Sequence, residues 1–350
     1  MTHDSSEDSN VGTMVKKLKT RGDYQFVFLK KEDKSALSGK NAIQSMFSFF
    51  LTKPFHLATA QYIFLDNIFL PCAFLRFRKQ VKVIQLWHGT GTIKKFGQSV
   101  NVGRLAQLEQ RANNTITHLI VNSNKIGQIY KEAFGVKEDK IYSLGLPRTD
   151  LLFQKEELKR KEELFYDRFP NLKNKKLILY APTFRDQEVG APMLHLNLSN
   201  VLNNLPEDYC LGVKLHPHVA RYFKLGNIDE AKLEGRIYDF SSYEDMNGLY
   251  MATDILITDY SSLLYEFCVL EKPMIFYAYD YEEFSCHGRG FYEEYESMVP
   301  GPVAKTEEEL IKILQKDTYD FQKIRKFKED AYEHTDGMAA KRIADVIIDK

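Results

Sequence analysis

The sequence lacks several features that would place it in a familiar class. Its 350 residues carry no net charge, since Lys plus Arg and Asp plus Glu are each 48, so no global field draws the chain to nucleic acid. The cysteines are few and show no CxxC spacing, which disfavours a zinc site and favours reduced core thiols of a cytosolic protein. They are Cys72, Cys210, Cys268 and Cys286.

Patterns for export, membrane crossing and common nucleotide loops are also missing. No uninterrupted apolar run approaches the roughly 18 residues that span a bilayer. The N-terminus, MTHDSSEDSN, is polar and acidic where a secretion signal needs a basic start and an apolar stretch, so we expect a disordered tail there. No GxxxxGK[ST] loop occurs and no GxGxxG follows the first predicted strand, which disfavours kinase-type and dinucleotide-binding proteins.

What is present is typical of an α/β protein with two domains. A length of 350 residues exceeds the usual size of a single core. Short runs of β-branched and aromatic residues alternate with helical patterns, which predicts βαβ units and mostly parallel sheets. The predicted strands are residues 24–29, 62–65, 81–86, 117–121, 141–144, 177–180, 209–215, 236–239, 254–257 and 273–277.

The domain boundary is predicted at a charged segment near the middle of the chain. Residues 154–168, QKEELKRKEELFYDR, have the pattern of an exposed helix, and one proline and two asparagines then break that pattern. We therefore expect one domain over 1–168 and another over 169–350. Near the C-terminus, Thr306 is expected to cap a helix that begins EEELIKIL.

One aromatic segment leaves two interpretations open. Residues 41–75 are rich in Phe, Leu and Met, and a basic cluster follows at Arg76, Arg78, Lys79 and Lys82. Amphipathic aromatic segments beside cations lie in membrane interfaces, with the cations on anionic headgroups. The same pattern fits core helices and a strand of an α/β domain equally well.

Polar clusters follow four of the predicted strands, where ligands bind in open parallel sheets. The first is QLWHGTGTIKKFG, residues 85–97, in which His88 offers a base with a pKa near physiological pH. Two glycines would let the backbone approach a ligand, and a Lys pair offers cations for phosphate. A lone histidine after a strand is more often structural, but this clustering favours a functional role.

The second cluster is YAPTFRD, residues 180–186. Thr183 and Arg185 stand at the mouth of the strand, where a hydroxyl and a guanidinium could both bind phosphate oxygens. A salt bridge of Arg185 with Asp186 or another carboxylate is an equally good interpretation.

The third cluster is VKLHPH, residues 213–218, which presents Lys214 and His216 at a strand end. His216 and His218 lack the accompanying cysteines or carboxylates of a metal site. Contact with phosphate or ribose is therefore preferred.

The fourth cluster, ITDYSSLLYEF, spans residues 257–267. The strand ends at Asp259, and Ser261 or Ser262 is expected to cap a helix whose free N–H groups would form an anion site. Glu266 lies about one turn further on, where it could reach ribose hydroxyls. A serine cap also occurs without any ligand. Together the clusters suggest a nucleotide-diphosphate donor held by the second domain and an acceptor presented by the first.

These clusters resemble the signature of the CDP-glycerol glycerophosphotransferases of wall teichoic acid synthesis, a GT-B-fold family. The resemblance covers about residues 81–350, although Thr253 stands where the family has Ala. The motifs in order are QLWHGTGTIKKFG, YAPTFRD, VKLHP, TDILITDYSSLLYEF, KPMIFYAYD and RGFYEEYESMVPGP. The resemblance implies an α/β fold of GT-B type, with two Rossmann-like domains whose parallel sheets face a central cleft.

The resemblance also implies roles for single residues. His88 would be the catalytic base and His216 a second catalytic or phosphate-stabilising group. The segment from Asp259 through Ser261 to Ser262 would hold the donor pyrophosphate. Further donor contacts would be Thr183, Arg185, Lys214 and Arg289, beside Glu266 at the ribose. No metal and no cofactor besides the donor substrate CDP-glycerol is implied.

The implied partners are CDP-glycerol, an undecaprenyl-diphosphate-linked ManNAc-GlcNAc disaccharide and the cytoplasmic face of the cell membrane, to which the protein would bind peripherally. Nucleic acid is not expected, and self-association is left open. The chain length and the IKKFG ending of the first motif look more like the primase, while the Gly89-Thr90 pair looks more like polymerases. Rival hypotheses are a GT-B glycosyltransferase or epimerase that uses another nucleotide sugar, and a non-catalytic scaffold.

Overall fold

A computed structural model of the protein describes residues 7–22, 24–29, 51–183, 185, 192–222 and 235–349. The chain divides into two compact units. The first unit comprises the described residues of Met1–Gly91, Lys95–Asp150 and Ala331–Lys350. The second unit comprises those of Thr92–Lys94 and Leu151–Asp330.

The first unit is built on a parallel sheet of four strands in the order β1-β2-β3-β4. The strands are β1 (Tyr62–Leu65), β2 (Lys82–Gln85), β3 (His118–Val121) and β4 (Ile141–Ser143). Its helices are Asn10–Lys19, Lys53–Thr59, Gly103–Asn113, Asn124–Phe134, Ala339–Ile343 and the π-helix Ala344–Ile348, with 3-10 turns at Leu70–Phe74, Gly97–Ser99 and Glu138–Lys140.

Local sequence signals explain where these helices begin and end. The Ser123 hydroxyl accepts a hydrogen bond from the Ile126 N–H, and Gly135 ends the same helix in the left-handed conformation at φ 60°. At the N-terminus, Ser9 caps helix Asn10–Lys19 in the same way. Leu18 of that helix and Ile343 of the C-terminal segment pack against β2, so both ends of the chain belong to one core.

The second unit has a parallel sheet of six strands in the order β10-β9-β8-β5-β6-β7. The strands are β5 (Lys176–Ala181), β6 (Tyr209–Val213), β7 (Ile237–Asp239), β8 (Ile255–Thr258), β9 (Met274–Tyr277) and β10 (Val303–Ala304). Every residue of β6, β8 and β9 is buried, as expected for strands covered on both faces. Its helices are Lys155–Arg168, Leu198–Asn203, Pro217–Ala220, Met246–Ala252, Leu263–Phe267, Tyr281–His287, Tyr295–Met298, Glu307–Lys316 and Phe321–Ala331, with 3-10 turns at Pro170–Leu172 and Cys268–Leu270. The 3-10 turn Pro147–Phe153 is shared, since its residues through Asp150 belong to the first unit and the rest to the second.

Nine of the ten predicted strands are present, within about two residues at each end. The prediction for 24–29 is wrong, because no strand forms there and Val27 and Phe28 are 45% and 53% exposed. β10 was missed because a strand of two residues carries no periodic signal. The helix after Thr306 is confirmed, and Thr306 with Glu309 forms a full capping box.

The predicted boundary at residue 168 is not where the structure divides. Helix Lys155–Arg168 packs on helix Met246–Ala252 within the second unit. Its buried Phe165 ring lies 5.6 Å from that of Phe240, and Lys161 forms a 3.0 Å salt bridge with Asp245. The segment therefore belongs to the second core rather than to a linker. The predicted second domain, 169–350, also differs from the second unit at its end, because the described residues of Ala331–Lys350 belong to the first unit.

Within the described ranges, no helix is both long enough and apolar enough to cross a membrane. Of the aromatic segment 41–75, the part over 41–50 lies outside the described residues. Its remainder contains the short helix Lys53–Thr59, β1 and the 3-10 turn Leu70–Phe74.

Candidate functional site

The chain leaves β2 through a turn in which Trp87 adopts a left-handed backbone, with φ at 56°. For a residue other than glycine this conformation costs about 1 to 2 kcal/mol. Side chains hold the turn in place. The Gln85 Oε1 atom accepts a 2.9 Å hydrogen bond from the Trp87 N–H, and Asn10 Nδ2 donates to the Trp87 carbonyl at 2.8 Å. The backbone therefore reverses direction and presents the next residue, His88.

His88 is half-buried, and its Nδ1 atom lies 3.0 Å from the Asp66 carbonyl oxygen. Because a carbonyl only accepts hydrogen bonds, Nδ1 must carry the proton in the neutral ring. The tautomer is thus assigned from its partner, and Nε2 is the basic nitrogen. The Trp87 ring packs against the imidazole with centroids 4.1 Å apart. This arrangement suits an imidazole that takes a proton at Nε2.

The glycines of this motif differ in backbone conformation. Gly89 and Gly91 have ordinary negative φ values, and the Gly89 carbonyl accepts a 2.8 Å hydrogen bond from Tyr130. Gly97 instead has φ at 56°, and a Cβ there would lie 2.2 Å from the Ala133 carbonyl oxygen. Only glycine fits that position.

The Lys pair of the motif is divided between the two compact units. Lys95 belongs to the first unit, whereas Lys94 belongs to the second and forms a β-bridge with Phe291. The Lys94 ammonium lies 5.9 Å above the Phe284 ring. The predicted cluster of two cations is therefore not a single patch in either unit.

In the second unit, Asp259 organises the loops that follow β5 and β8. Its side chain is 2% exposed. Oδ1 accepts hydrogen bonds from the backbone N–H groups of Thr183 at 2.8 Å and Tyr260 at 2.6 Å, while Oδ2 accepts from Arg185 at 3.0 Å. Both oxygens are therefore engaged inside the protein, and Asp259 shapes the loops rather than presenting a free carboxylate.

Arg185 is the cation of this network. It forms a bidentate salt bridge with Asp280 at 2.7 and 2.9 Å and donates to the Thr183 carbonyl at 2.6 Å. Burial lowers the pKa of the guanidinium, but the bonds to Asp280 and the charge of Asp259 outweigh burial and raise it. The alternative interpretation, a salt bridge with other carboxylates, is therefore present, and the phosphate contact of Arg185 stays a prediction. Asp186, the partner first considered, lies outside the described residues.

Aromatic rings surround this charge network. The Arg185 guanidinium lies 5.2 to 5.4 Å from the ring centroids of Tyr260, Tyr279 and Phe284. The Tyr260 hydroxyl donates to Asp280 at 3.0 Å, and burial with that carboxylate raises the pKa of Tyr260 well above its usual value. The rings hold the arginine by cation–π contact and keep water away from the ion pairs.

Thr183 differs from its neighbours because its hydroxyl is not engaged. Oγ1 is buried and has no hydrogen-bond partner among the described residues. It stands directly after β5, and its own N–H is fixed by Asp259. A buried hydroxyl without a partner is costly in the free protein, which makes Thr183 the strongest candidate for a ligand contact in this unit.

The serine-capped helix is shorter than predicted. The α-helix covers only Leu263–Phe267 and continues as a 3-10 turn over Cys268–Leu270. The Ser261 hydroxyl accepts a 3.3 Å hydrogen bond from the Leu263 N–H, whereas the exposed Ser262 makes no capping bond. A single helical turn has a weak dipole, so any anion here would rely on the two hydroxyls and local N–H groups.

The other predicted side chains are not gathered at one point. Lys214 donates to the carbonyls of Phe240, Ser241 and Tyr243 at 3.1, 3.4 and 2.5 Å, and burial lowers its pKa to about 8. Glu266 is 9% exposed and accepts a 3.3 Å hydrogen bond from the Tyr250 hydroxyl, and its contact with a ribose stays a prediction.

His216 and Arg289 are exposed, and both remain accessible to a ligand. Among the described residues, no three His, Cys, Asp or Glu side chains are grouped to hold a metal ion. The side chain of His218, considered with His216 as a metal ligand, lies outside the described part of the chain.

Sequence reasoning missed several residues of these two regions. Asp280 follows β9, so the strand-end rule that singled out Asp259 could have found it. Asn10 lies 76 residues before Leu86, to whose carbonyl it also donates, and no local pattern signals such a contact. Asp66 contributes a backbone carbonyl, for which side-chain identity gives no clue.

Comparison with known proteins gives the family. The model of the CDP-glycerol:poly(glycerophosphate) glycerophosphotransferase family matches residues 2–349. The chain belongs to this family. It is 33% identical over 347 residues to the teichoic acid poly(ribitol-phosphate) polymerase of Bacillus spizizenii, covering 95% of this chain and 55% of the relative. It is 35% identical over 306 residues to the teichoic acid glycerol-phosphate primase of Bacillus subtilis, covering 84% of this chain and 77% of the relative.

Solved structures place this glycerophosphotransferase family member in a GT-B-like fold. A histidine-to-asparagine variant of the wall teichoic acid polymerase TagF superposes with a TM-score of 0.70 at 26% identity, over 83% of this chain and 73% of TagF. The same kind of TagF variant has been soaked with CDPG. A UDP-GlcNAc 2-epimerase from Neisseria meningitidis superposes at 0.55 with 13% identity, over 97% of this chain and 89% of that one, and shares the fold alone. The predicted fold class is therefore confirmed.

Proposed function

We propose that this chain is a teichoic acid primase, which transfers glycerol phosphate from CDP-glycerol to a hydroxyl of an undecaprenyl-diphosphate-linked ManNAc-GlcNAc disaccharide and releases CMP. The observation that carries the proposal is the state of His88. Its proton is fixed at Nδ1 by the Asp66 carbonyl, which leaves Nε2 basic in a chain of the glycerophosphotransferase family.

In the proposed reaction, His88 Nε2 takes the proton of the acceptor hydroxyl as that oxygen attacks the phosphorus that bears glycerol. A new P–O bond forms, the bond from this phosphorus to the bridging oxygen breaks, and CMP leaves with the electron pair. General base catalysis of this kind contributes roughly a hundredfold to ten-thousandfold in rate. The proton taken by His88 returns to solvent or to CMP before the next turnover.

On the donor side, the proposal rests on hydroxyls and exposed cations rather than on Arg185. Thr183 offers a buried hydroxyl without a partner among the described residues, and Ser261 and Ser262 follow β8. His216 and Arg289 are exposed and can meet phosphate charge. Arg185, Asp259, Lys214 and Glu266 support these groups from the interior.

The relatives favour a teichoic acid substrate but differ in which one they use. Their names include glycerol-phosphate primases, ribitol-phosphate primases and polymerases of both kinds. The chain spans 55% of the length of the ribitol-phosphate polymerase and 77% of that of the glycerol-phosphate primase. The IKKFG ending of the first motif, which looks more like the primase, supports the proposal. Polymerase activity is the alternative outcome.

The experiment supplies the purified chain with CDP-glycerol and a synthetic lipid-linked disaccharide, measures CMP release, and analyses the product by mass. A single added unit supports the primase. A ladder of products indicates a polymerase. Turnover of CDP-ribitol instead of CDP-glycerol would show that CDP-ribitol is the donor. Release of UDP from a UDP-sugar, with no response to CDP-glycerol, would instead support a glycosyltransferase.

We further propose that the first unit binds the anionic cytoplasmic surface of the membrane. No Asp or Glu occurs from residue 67 to 108, a stretch that contains seven Lys and Arg. The 3-10 turn Leu70–Phe74 packs on helix Gly103–Asn113. Phe74 and Val102 are 70% and 82% exposed, and the Arg111 guanidinium lies 5.5 Å from the Phe74 ring. Exposed apolar side chains among cations suit a lipid interface.

Sedimentation with vesicles tests this surface. The Phe74→Ser, Val102→Ser double variant is expected to lose binding to vesicles that contain anionic lipid, while wild type binds them and ignores neutral vesicles. Leu164→Ser is the matched control, since Leu164 is 48% exposed on a helix of the second unit. Equal binding by the double variant would refute this surface.

A further inference from the structure

The turn that presents His88 is held from the N-terminal helix. Asn10 is 2% exposed and is the first residue of helix Asn10–Lys19. Its Nδ2 donates to the Trp87 carbonyl at 2.8 Å and to the Leu86 carbonyl at 3.4 Å. Both carbonyls flank the strained residue, so one amide fixes the peptide groups on either side of it.

The other end of the same amide fixes a second segment. Asn10 Oδ1 accepts a 3.0 Å hydrogen bond from the Arg148 N–H, and the Arg148 side chain donates to the His88 carbonyl at 3.0 Å. Two side chains therefore bond to the backbone around His88. Asn10 donates to the carbonyl of the preceding residue, Trp87, and Arg148 donates to the carbonyl of His88 itself. Both contacts depend on the position of Asn10.

The position of Asn10 is itself well determined. The Ser9 hydroxyl caps the helix by accepting from the Gly12 N–H at 3.0 Å. The next turns of the helix are buried in the core that includes β2 and the C-terminal segment, through Val11, Met14 and Leu18. The helix cannot shift by a fraction of an ångström without disturbing that core.

We infer that Asn10 is a positioning residue that holds the left-handed Trp87 and thereby sets the direction of His88 Nε2. The observation that carries this inference is the pair of bonds from Asn10 to the carbonyls on either side of Trp87. The inference rests on the proposed role of His88 as the base. Misplacement of a reacting group by about 1 Å costs roughly a hundredfold in rate, so a small release of the turn has a large effect.

Trp87 is the only tryptophan in the sequence and provides a probe that needs no substrate. Its ring lies 4.1 Å from the imidazole, and a protonated imidazole in contact with an indole quenches its fluorescence. A pH titration of the emission therefore reports the contact of Trp87 with His88. Loss of the transition in His88→Ala assigns it. Among the described residues, the Asp66 carbonyl and the Arg148 side chain bond to His88, and both residues are unchanged in the variants below.

The test compares Asn10→Asp with Thr253→Val. The aspartate at 10 keeps the acceptor for Arg148 but cannot donate to the Trp87 carbonyl. Thr253 is the control, since it is also buried and its hydroxyl donates to a backbone carbonyl of the second unit, that of Leu249, at 2.7 Å. Asn10→Ala is measured in parallel and replaces Asn10→Asp where circular dichroism shows the charged variant to be unfolded.

The inference predicts that kcat for CMP release falls about tenfold to a hundredfold in the Asn10 variants, with KM for CDP-glycerol within about threefold of wild type. It also predicts a displaced or weakened Trp87 transition, and no change of either kind in Thr253→Val. An unchanged transition in the Asn10 variants, or equal losses of kcat in both sets of variants, would overturn it. If wild type releases no CMP from CDP-glycerol, the proposed function fails, and the fluorescence titration alone still decides whether Asn10 sets the contact of Trp87 with His88.

Discussion

The turn after β2 and the loops after β5, β8 and β9 both place polar side chains just beyond buried parallel strands, yet their polar atoms are used differently. In the turn, one nitrogen of His88 is held by a carbonyl, and that bond leaves the other nitrogen basic. In the loops, Arg185 donates hydrogen bonds to Asp259, Asp280 and a backbone carbonyl, all within the same unit. The first arrangement sets the tautomer of a half-buried imidazole, and the second neutralises charges to hold loops in place.

The comparison shows that a polar residue at a strand end is a necessary signal for a site but not a sufficient one. The deciding observation is which atoms remain after internal partners are counted. For an arginine beside two carboxylates, few donors remain. For His88, the bond to the Asp66 carbonyl sets the tautomer, with the proton at Nδ1.

The strongest test of the second arrangement removes one of its carboxylates. Asp259→Ala leaves Arg185 with Asp280 alone and strips the bonds from the Thr183 and Tyr260 N–H groups. Breaking a buried ion pair from one side costs about 3 to 5 kcal/mol, and urea unfolding is expected to show a loss of that size. Glu296→Gln is the control, because its 3.0 Å pair with Lys305 is half exposed and its loss should leave stability close to that of wild type. Similar losses in both variants would contradict the network.

Arg185→Lys separates an organising role from phosphate binding. The lysine keeps the charge but cannot form the bidentate bridge to Asp280 while it also reaches Asp259. We expect the free energy of unfolding to fall by about 2 to 3 kcal/mol, while KM for CDP-glycerol changes by less than about threefold. A KM raised more than about tenfold with unchanged stability would make Arg185 a direct phosphate contact after all.

Lys214 predicts a pH dependence. Burial lowers the pKa of its ammonium to about 8 in the folded protein, below its ordinary value of 10.5. Between these values the unfolded chain binds the proton and the folded protein does not, so stability rises with pH across this window. Relative to Lys214→Met, wild type should gain on the order of 2 kcal/mol between about pH 8 and 10.5, after allowance for partial exposure. A difference that stays constant with pH would show that the amine is not buried.

Thr183→Val has the smallest expected effect. It should raise the free energy of unfolding of the free protein and weaken the binding of CDP-glycerol. Removal of a buried hydroxyl without a partner among the described residues should stabilise the free protein by up to about 1 kcal/mol. Loss of a hydrogen bond to phosphate should weaken CDP-glycerol binding about tenfold, measured by calorimetry. A destabilised variant with normal donor affinity would mean that the hydroxyl has an internal role.

Much of this could be predicted from the sequence, because strands buried on both faces are continuous apolar runs. β5, β6, β8 and β9 and the polar residues after them were found in that way. The hydrogen-bond partners of these residues could not be predicted, because they lie far apart in the sequence and no local pattern signals such contacts. Asn10 reaches Trp87 across 77 residues, and Arg185 reaches Asp280 across 95.

The failed predictions have physical reasons as well. Residues 24–29 have strand-like composition but remain partly exposed and outside the sheet. The boundary at residue 168 was predicted from the charged residues of segment 154–168. Helix Lys155–Arg168 instead belongs to the second unit, because its buried face, with Leu158 and Phe165, packs there. The helix after Ser262 is one turn because Cys268–Leu270 tightens to 3-10 geometry.

The central claim is that the imidazole of His88 supplies the base for transfer, and the most direct measurement compares His88→Ala with wild type. CMP release should fall by at least about a hundredfold, while the Kd for CDP-glycerol, measured by calorimetry, stays within about twofold. Turnover within about threefold of wild type, at equal donor occupancy, would contradict the assignment.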